Sequence, residues 1–229
     1  MPAGPAWTCA PVRRTPSVGG VTTSSQPLTD HRALDWLAVA AASRIVEQVR
    51  DEHLNLHTPC TGWRVRDLLR HMVGNNRGFT AAAEGRPPDR AVWDGIDLDS
   101  DADLRLEWQR SAEAVVAAFE GLTSAEPTLA LPGYGDVPAP QAVQMHFIDY
   151  LVHGWDVAVS IGVDADLDEE SCREVLRIAA KWPQGHPEIW GPGAPFGHPV
   201  PVPPRAPAAD RMLGLLGRSP SWPDEVEAV

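Results

Sequence analysis

Residues 145–158 read MHFIDYLVHGWDVA. His146, Asp149, His153 and Asp156 stand there among Phe147, Ile148, Tyr150, Leu151, Val152, Trp155 and Val157. All four polar side chains are of types that bind metals or move protons. Burying them in so apolar a segment costs on the order of several kcal/mol unless something pairs with them. Their spacing is i, i+3, i+7, i+10, which places them along one side of a helix, with Tyr150 and Val157 flanking. The apolar run extends from about Pro140 to Ile161 and predicts the most apolar helix of the chain.

Working outward, residues 29–53 carry Leu34, Leu37, Ala41, Ile45 and Val49 at helical spacing, with Asp30 as the expected N-cap. Residues 64–85 form a second amphipathic stretch through Val65, Leu68, Leu69, Met72 and Val73, ended by Gly85 and the following prolines. Residues 101–122 give a third, with Leu104, Trp108, Val115, Val116 and Phe119 facing inward. LALPGYGDVPAP, residues 129–140, holds one short extended piece and a turn. Beyond the apolar helix, residues 168–182 predict another. A proline-rich wrap then leads to a short helix over Met212, Leu213, Leu215 and Leu216. Several long amphipathic helices with little strand signal imply an all-α bundle. The division expected is a disordered tail over 1–28, one bundle over 29–218 and a tail over 219–229. A translation start near Val21 is a second reading of the first segment.

The chain has 229 residues, is 43% hydrophobic and 22% charged, and has a net charge of −12. No basic stripe is available to neutralise phosphates, which argues against a nucleic-acid partner. No run of eighteen apolar residues suggests a membrane span. Lys181 is the only lysine, and arginine, alanine, proline and glycine dominate, as in GC-rich bacterial genomes. Cys9, Cys60 and Cys172 are scattered and form no C-x-x-C, so neither a disulfide framework nor a zinc ribbon is implied. A reducing cytoplasm is the expected compartment. Cys60 reads as a small buried hydrophobe. His31, His53, His57, His186 and His198 show no partner at useful spacing, and the nine tryptophans read as core and loop anchors.

A divalent metal needs lone pairs converging from at least three side chains. Asp149 and His153 sit four residues apart and supply two; His146 with Asp149 at i, i+3 is the rival pair. The third must come from a facing helix. His71, amid the apolar stripe of the second helix, is the candidate.

Three blocks carry a resemblance: TPCTGWRVRDLLRHMVGNNRGF (58–79), HFIDYLVHGWDVAVSIG (146–162) and GAPFGHPVPVPPRAPAADRMLGLLGR (193–218). In order and spacing they resemble actinobacterial metal-binding members of the DinB / mycothiol-dependent maleylpyruvate isomerase superfamily, over roughly residues 30–218. The resemblance implies a DinB-like up-down-down-up four-helix bundle, here with an extra C-terminal helix and a Pro-rich tail. It also implies one divalent metal, zinc first, with nickel, manganese or iron as alternatives. The ligands fall on His71, Asp149 and His153, with Asp where the isomerase branch has Glu. Asp is shorter by one methylene, so the ion must sit closer to that helix, or the position gives way to a different metal or to water.

His146, Asp156 and Arg77 are then the expected catalytic residues, Arg77 by holding a substrate carboxylate. Asn75 and Asn76 are the expected cofactor contacts. Three protein ligands leave open positions, the pattern of a catalytic site. Relatives use such a site to activate a low-molecular-weight thiol, mycothiol or bacillithiol, that attacks a small electrophile. The expected function is therefore a thiol transferase or isomerase acting on a small molecule. The alternatives are a thiol-independent metallohydrolase or cyclase, and a non-catalytic metal-binding protein. Monomer and homodimer are both compatible.

Overall fold

The computed structural model describes residues 30–98, 103–123, 128–183, 185–187, 189–191 and 194–223. The N-terminal segment expected to be disordered lies outside them. Among the described residues the order is α1 (Arg32–Val46), a 3-10 turn (Asp51–Asn55), α2 (Val65–Ala83), α3 (Arg90–Trp93), α4 (Leu104–Glu120), β1 (Thr128–Leu131), β2 (Gly135–Pro138), α5 (Ala139–Ile161), α6 (Glu169–Ala179) and α7 (Ala208–Leu215). The architecture is all-α and DinB-like, with one small hairpin as the only sheet among the described residues. None of these helices is long and apolar enough to cross a membrane.

Four long helices close the bundle. α1 packs along α5 and α2 along α4, while α1–α4 and α2–α5 contacts complete the ring. Helices α1 and α2, consecutive among the long ones, therefore face each other across a diagonal. The α2 stripe lies where its periodicity predicts, with Val65, Leu68, Leu69, Met72 and Val73 all fully buried. Two glycines of α2 seat the next segment: a Cβ on Gly74 would lie 2.5 Å from the Trp93 carbonyl, and one on Gly78 would enter the Trp93 ring. The short α3 that carries Trp93 has no periodic signal of its own.

The first helix departs from its expected form in three ways. The cap position falls to His31, which makes no side-chain cap bond; Asp30, one residue earlier, accepts the Arg32 backbone N–H at 3.1 Å and also grips its guanidinium. The helix also stops at Val46. There the N–H groups of Gln48 and Val49 bond three residues back, to Ile45 and Val46, and Val49 turns into the core. Its buried face is rotated as well, running through Asp35, Ala38, Val39, Ala42, Ile45 and Val46, while Trp36 and Leu37 are exposed.

The rotation has a physical cause on α5. His146 is fully buried, and its Nδ1 lies 2.6 Å from Asp35 Oδ1 while its Nε2 lies 3.2 Å from Asn76 Oδ1. Turning Leu37 inward would pull Asp35 off that imidazole and leave a buried charge unanswered. The same face brings α1 close to α5, where a Cβ on Gly154 would stand 3.4 Å from Ala42 Cβ.

The hairpin pairs Thr128 with Pro138 and Leu131 with Gly135, and buries Leu129, Leu131 and Val137 against Phe79, Val115, Phe119 and Val143. This satellite cluster closes one end of the bundle. At the other side, α6 starts on an Asp168 side-chain cap to the Ser171 N–H. It packs on α7, and the Pro-rich wrap lies so close that a Cβ on Gly214 would meet Val202 at 2.4 Å.

If the Asp35–His146 pair fixes the rotation of α1, removing one partner should be severe. Asp35→Ala is expected to lower the urea-unfolding free energy by about 3–5 kcal/mol. A loss below about 1 kcal/mol, the scale of an exposed pair, would contradict this account.

Candidate metal centre

The α2–α5 contact brings one turn of each helix together. His71 and Asn75 lie one turn apart on α2, and Asp149 and His153 lie one turn apart on α5. Asp149 Oδ1 is 3.3 Å from His153 Nε2, and Asp149 Oδ2 is 4.0 Å from His71 Nε2. The three donor atoms lie within 4.8 Å of one another. Asn75 Nδ2 donates to Asp149 Oδ2 at 2.9 Å and stands 3.2 Å from His71 Nε2. The imidazoles of His71 and His153 meet edge to face with centroids 5.2 Å apart. The side chains of His71 and Asp149 are about a quarter exposed, at 25% and 27%, against 8% for His153, so the cluster opens outward on the His71 side.

The loop before α2 frames this opening. A bridge between His57 and Arg64 and the Thr58 hydroxyl, which bonds the Trp63 carbonyl, fold residues 57–64 into a tight turn. Trp63 is thereby set against His71, with ring centroids 4.9 Å apart. Cys60, from the same turn, points inward beneath His153.

The charges are separated by environment. Burial lowers His71 to about 4, against the pull of Asp149 and with help from His153 and Arg218, so its imidazole is neutral near pH 7. Burial alone would raise Asp149, but the charge and hydrogen bond of His153, with His71 and Asn75, hold it well below the usual carboxylate range. Burial alone would also neutralise His153. Asp149, Asp156 and Cys60 outweigh it and raise His153 well above its ordinary value. One neutral imidazole, one carboxylate and one imidazolium that must release a proton make a ligand set for a divalent cation.

The fit to a metal is geometric as well. Ligand atoms on a tetrahedral ion with bonds of about 2.1 Å are roughly 3.4 Å apart. The 3.3 Å separation of Asp149 Oδ1 from His153 Nε2 is close to that edge, and the 4.0 Å separation of the other Asp149 oxygen from His71 Nε2 is longer.

A second donor triad, Cys60, His153 and Asp156, lies directly behind the first and is fully buried. A cation is already there. Arg218 Nη2 donates to Asp156 Oδ2 at 2.9 Å and lies 3.4 Å from Cys60 Sγ, and Arg218 Nε donates to Asp156 Oδ1 at 3.2 Å. The guanidinium, 5% exposed, fills the place a metal would need. The outer triad is therefore the metal candidate.

The expected catalytic and cofactor residues part company here. Asn75 is at the cluster. Asp156 touches it through His153, with its Oδ2 2.8 Å from His153 Nδ1. Asn76 is buried and donates to Ser111 while contacting His146. His146 is caged by Phe79, Phe119 and Tyr150, and both its nitrogens are occupied, so it belongs to the core and is no rival ligand. Arg77 is answered by Asp97 at 2.7 Å, a carboxylate of the chain itself. His31, read as partnerless, is buried and sits 2.9 Å from Glu174. That partner lies on α6, far beyond any local spacing. Cys60 is buried as expected, yet its sulfur contacts the charged network. Arg218 stands at no helical spacing from the residues it meets. Its signal is the Gly217–Arg218 pair after α7, which fits a helix-terminating motif.

These features define a helical-bundle protein with a His/Asp/His centre near its surface. The sequence model of the family described as the mycothiol maleylpyruvate isomerase N-terminal domain matches residues 24–158. The chain belongs to that family. Two uncharacterized proteins of Mycobacterium tuberculosis, MT0763 and Rv0738, are each 35% identical over 196 residues, covering 84% of this chain and 98% of the relative. Among solved structures, the mycothiol-dependent maleylpyruvate isomerase is similar in fold, with a TM-score of 0.51 at 20% identity over 66% of this chain and 68% of that one. A mutant of that enzyme gives 0.50 at the same identity and coverage.

The choice between the two triads can be checked by equilibrium dialysis against zinc followed by elemental analysis. The wild type and Cys60→Ser are expected to retain one ion per chain, and Asp149→Ala to retain little. Loss of the ion from Cys60→Ser with retention in Asp149→Ala would place it in the inner triad instead.

Proposed function

We propose that this chain is a metal-dependent enzyme that uses a low-molecular-weight thiol, mycothiol, to isomerise or conjugate a small electrophile. The observation that carries the reading is the convergence of His71, Asp149 and His153 from two helices, in a chain of this family. The solved structures similar in fold are of a mycothiol-dependent maleylpyruvate isomerase, which supports mycothiol as cosubstrate and an unsaturated keto acid as substrate.

The residues have distinct tasks. His71 Nε2, a carboxylate oxygen of Asp149 and His153 Nε2 would hold the ion. A bound divalent metal supplies Lewis acidity that deprotonates a thiol or lowers the pKa of water to about 7. Asn75 ties one Asp149 oxygen and fixes the direction of the other. Trp63 walls the opening and offers a substrate an apolar face. Asp149 and Asp156 are negative and Arg218 positive, so the chain leaves one charge of a divalent ion unmatched. A single anion such as a thiolate balances it.

The test is turnover of maleylpyruvate by zinc-loaded protein with and without mycothiol, with formation of S-conjugates from a generic electrophile as a second arm. Turnover is expected only when metal and thiol are both present. His71→Ala and His153→Ala are expected to fall to the rate of mycothiol alone. Metal-dependent turnover that ignores the thiol would favour a hydrolase or cyclase. Metal binding with no chemistry in either arm would overturn the enzymatic reading.

A further inference from the structure

We propose that Arg218, acting through Asp156, is a positioning residue for the metal ligand His153, so that the segment after α7 is a working part of the centre. This rests on the metal reading above. The matched family segment ends at residue 158, and Arg218 lies sixty residues beyond it.

An imidazole can offer a lone pair at only one nitrogen, and the partner of the other nitrogen decides which. His153 turns Nε2 toward Asp149 and His71 and turns Nδ1 to Asp156 Oδ2 at 2.8 Å. An acceptor at Nδ1 holds the proton there and leaves Nε2 free for an ion. Asp156 is fully buried, so its own orientation must be fixed from elsewhere. Arg218 does this with a two-pronged grip, Nε on Oδ1 and Nη2 on Oδ2. Cys60 Sγ adds a donor at 3.3 Å to Oδ2. The oxygen that Arg218 Nη2 holds is the oxygen that meets His153. A pair that only neutralised itself would have no need to share it.

The backbone aims the guanidinium. Gly217 follows the last turn of α7 at φ +79°, its N–H bonds Gly214 O at 3.2 Å, and the Arg218 N–H bonds Leu213 O at 2.9 Å. Those two bonds form a Schellman motif, which turns the residue after the glycine back along the helix. The turn is locked by a close approach, since a Cβ on Gly217 would lie 2.7 Å from the Gly197 backbone. Arg218 Nη1 also donates to Leu216 O at 2.9 Å, so the side chain is held at its root and its tip.

The experiment measures zinc affinity of the full chain by competition with a chromophoric chelator at one pH, with the d–d spectrum of the cobalt-loaded protein and a circular dichroism check of folding. Arg218→Met is expected to weaken zinc binding by about 10–100-fold and to alter the cobalt spectrum, while Arg218→Lys recovers part of both. Should Arg218→Met fail to fold, the double variant Asp156→Asn/Arg218→Met, which buries no lone charge, decides; it is expected to fold and remain weakened. Folded charge-removing variants that bind zinc within about twofold of wild type, with an unchanged cobalt spectrum, would overturn this inference alone. A wild type that binds no zinc would remove the metal reading and this inference with it.

Discussion

Helix α5 is buried on nearly every side and still carries His146, Asp149, His153 and Asp156. Each of these groups must be answered by a partner from another element, and each partner is different. Asp35 of α1 and Asn76 of α2 answer His146; His71 and Asn75 of α2 meet Asp149; Arg218 after α7 answers Asp156. His153 lies between two of these sets and shares both. Satisfying one polar stripe thus fixes the rotation of α1, the register of α2 against α5 and the landing point of the C-terminal segment.

The energetic logic explains why the stripe divides as it does. Where the partners are fully buried and paired only with one another, as at Asp35–His146, the groups define the core; Asp156, held by Arg218, still shares an oxygen with His153. At Asp149 the cover is incomplete. Two imidazoles and a carboxylate face a common point with a quarter of two side chains still open to water. That open convergence makes this cluster the candidate site.

Much of this was legible in the sequence because it depends on local period. The α2 stripe, the extent of α5 and the short final helix follow from apolar spacing, and the Asp149–His153 pair follows from one helical turn. His71 was legible as a polar residue beside an apolar face. What could not be read locally were partners distant along the chain. The rotation of α1 depends on His146, more than a hundred residues away, so the apolar face read from Leu34 and Leu37 alone was misplaced. Arg77, expected to hold a substrate carboxylate, is paired with Asp97 of the chain itself, and buried His31 meets Glu174. Arg218 carried a signal only in its backbone motif, since no sequence period links it to Asp156.

The proposed function requires that His71, Asp149 and His153 enclose one divalent ion at the outer triad. Anomalous diffraction at the zinc edge from zinc-soaked crystals tests it directly. One peak is expected about 2.0–2.2 Å from a nitrogen of each histidine and from an Asp149 oxygen. A peak with a zinc–sulfur distance of about 2.3 Å to Cys60, or no peak between α2 and α5, would contradict it.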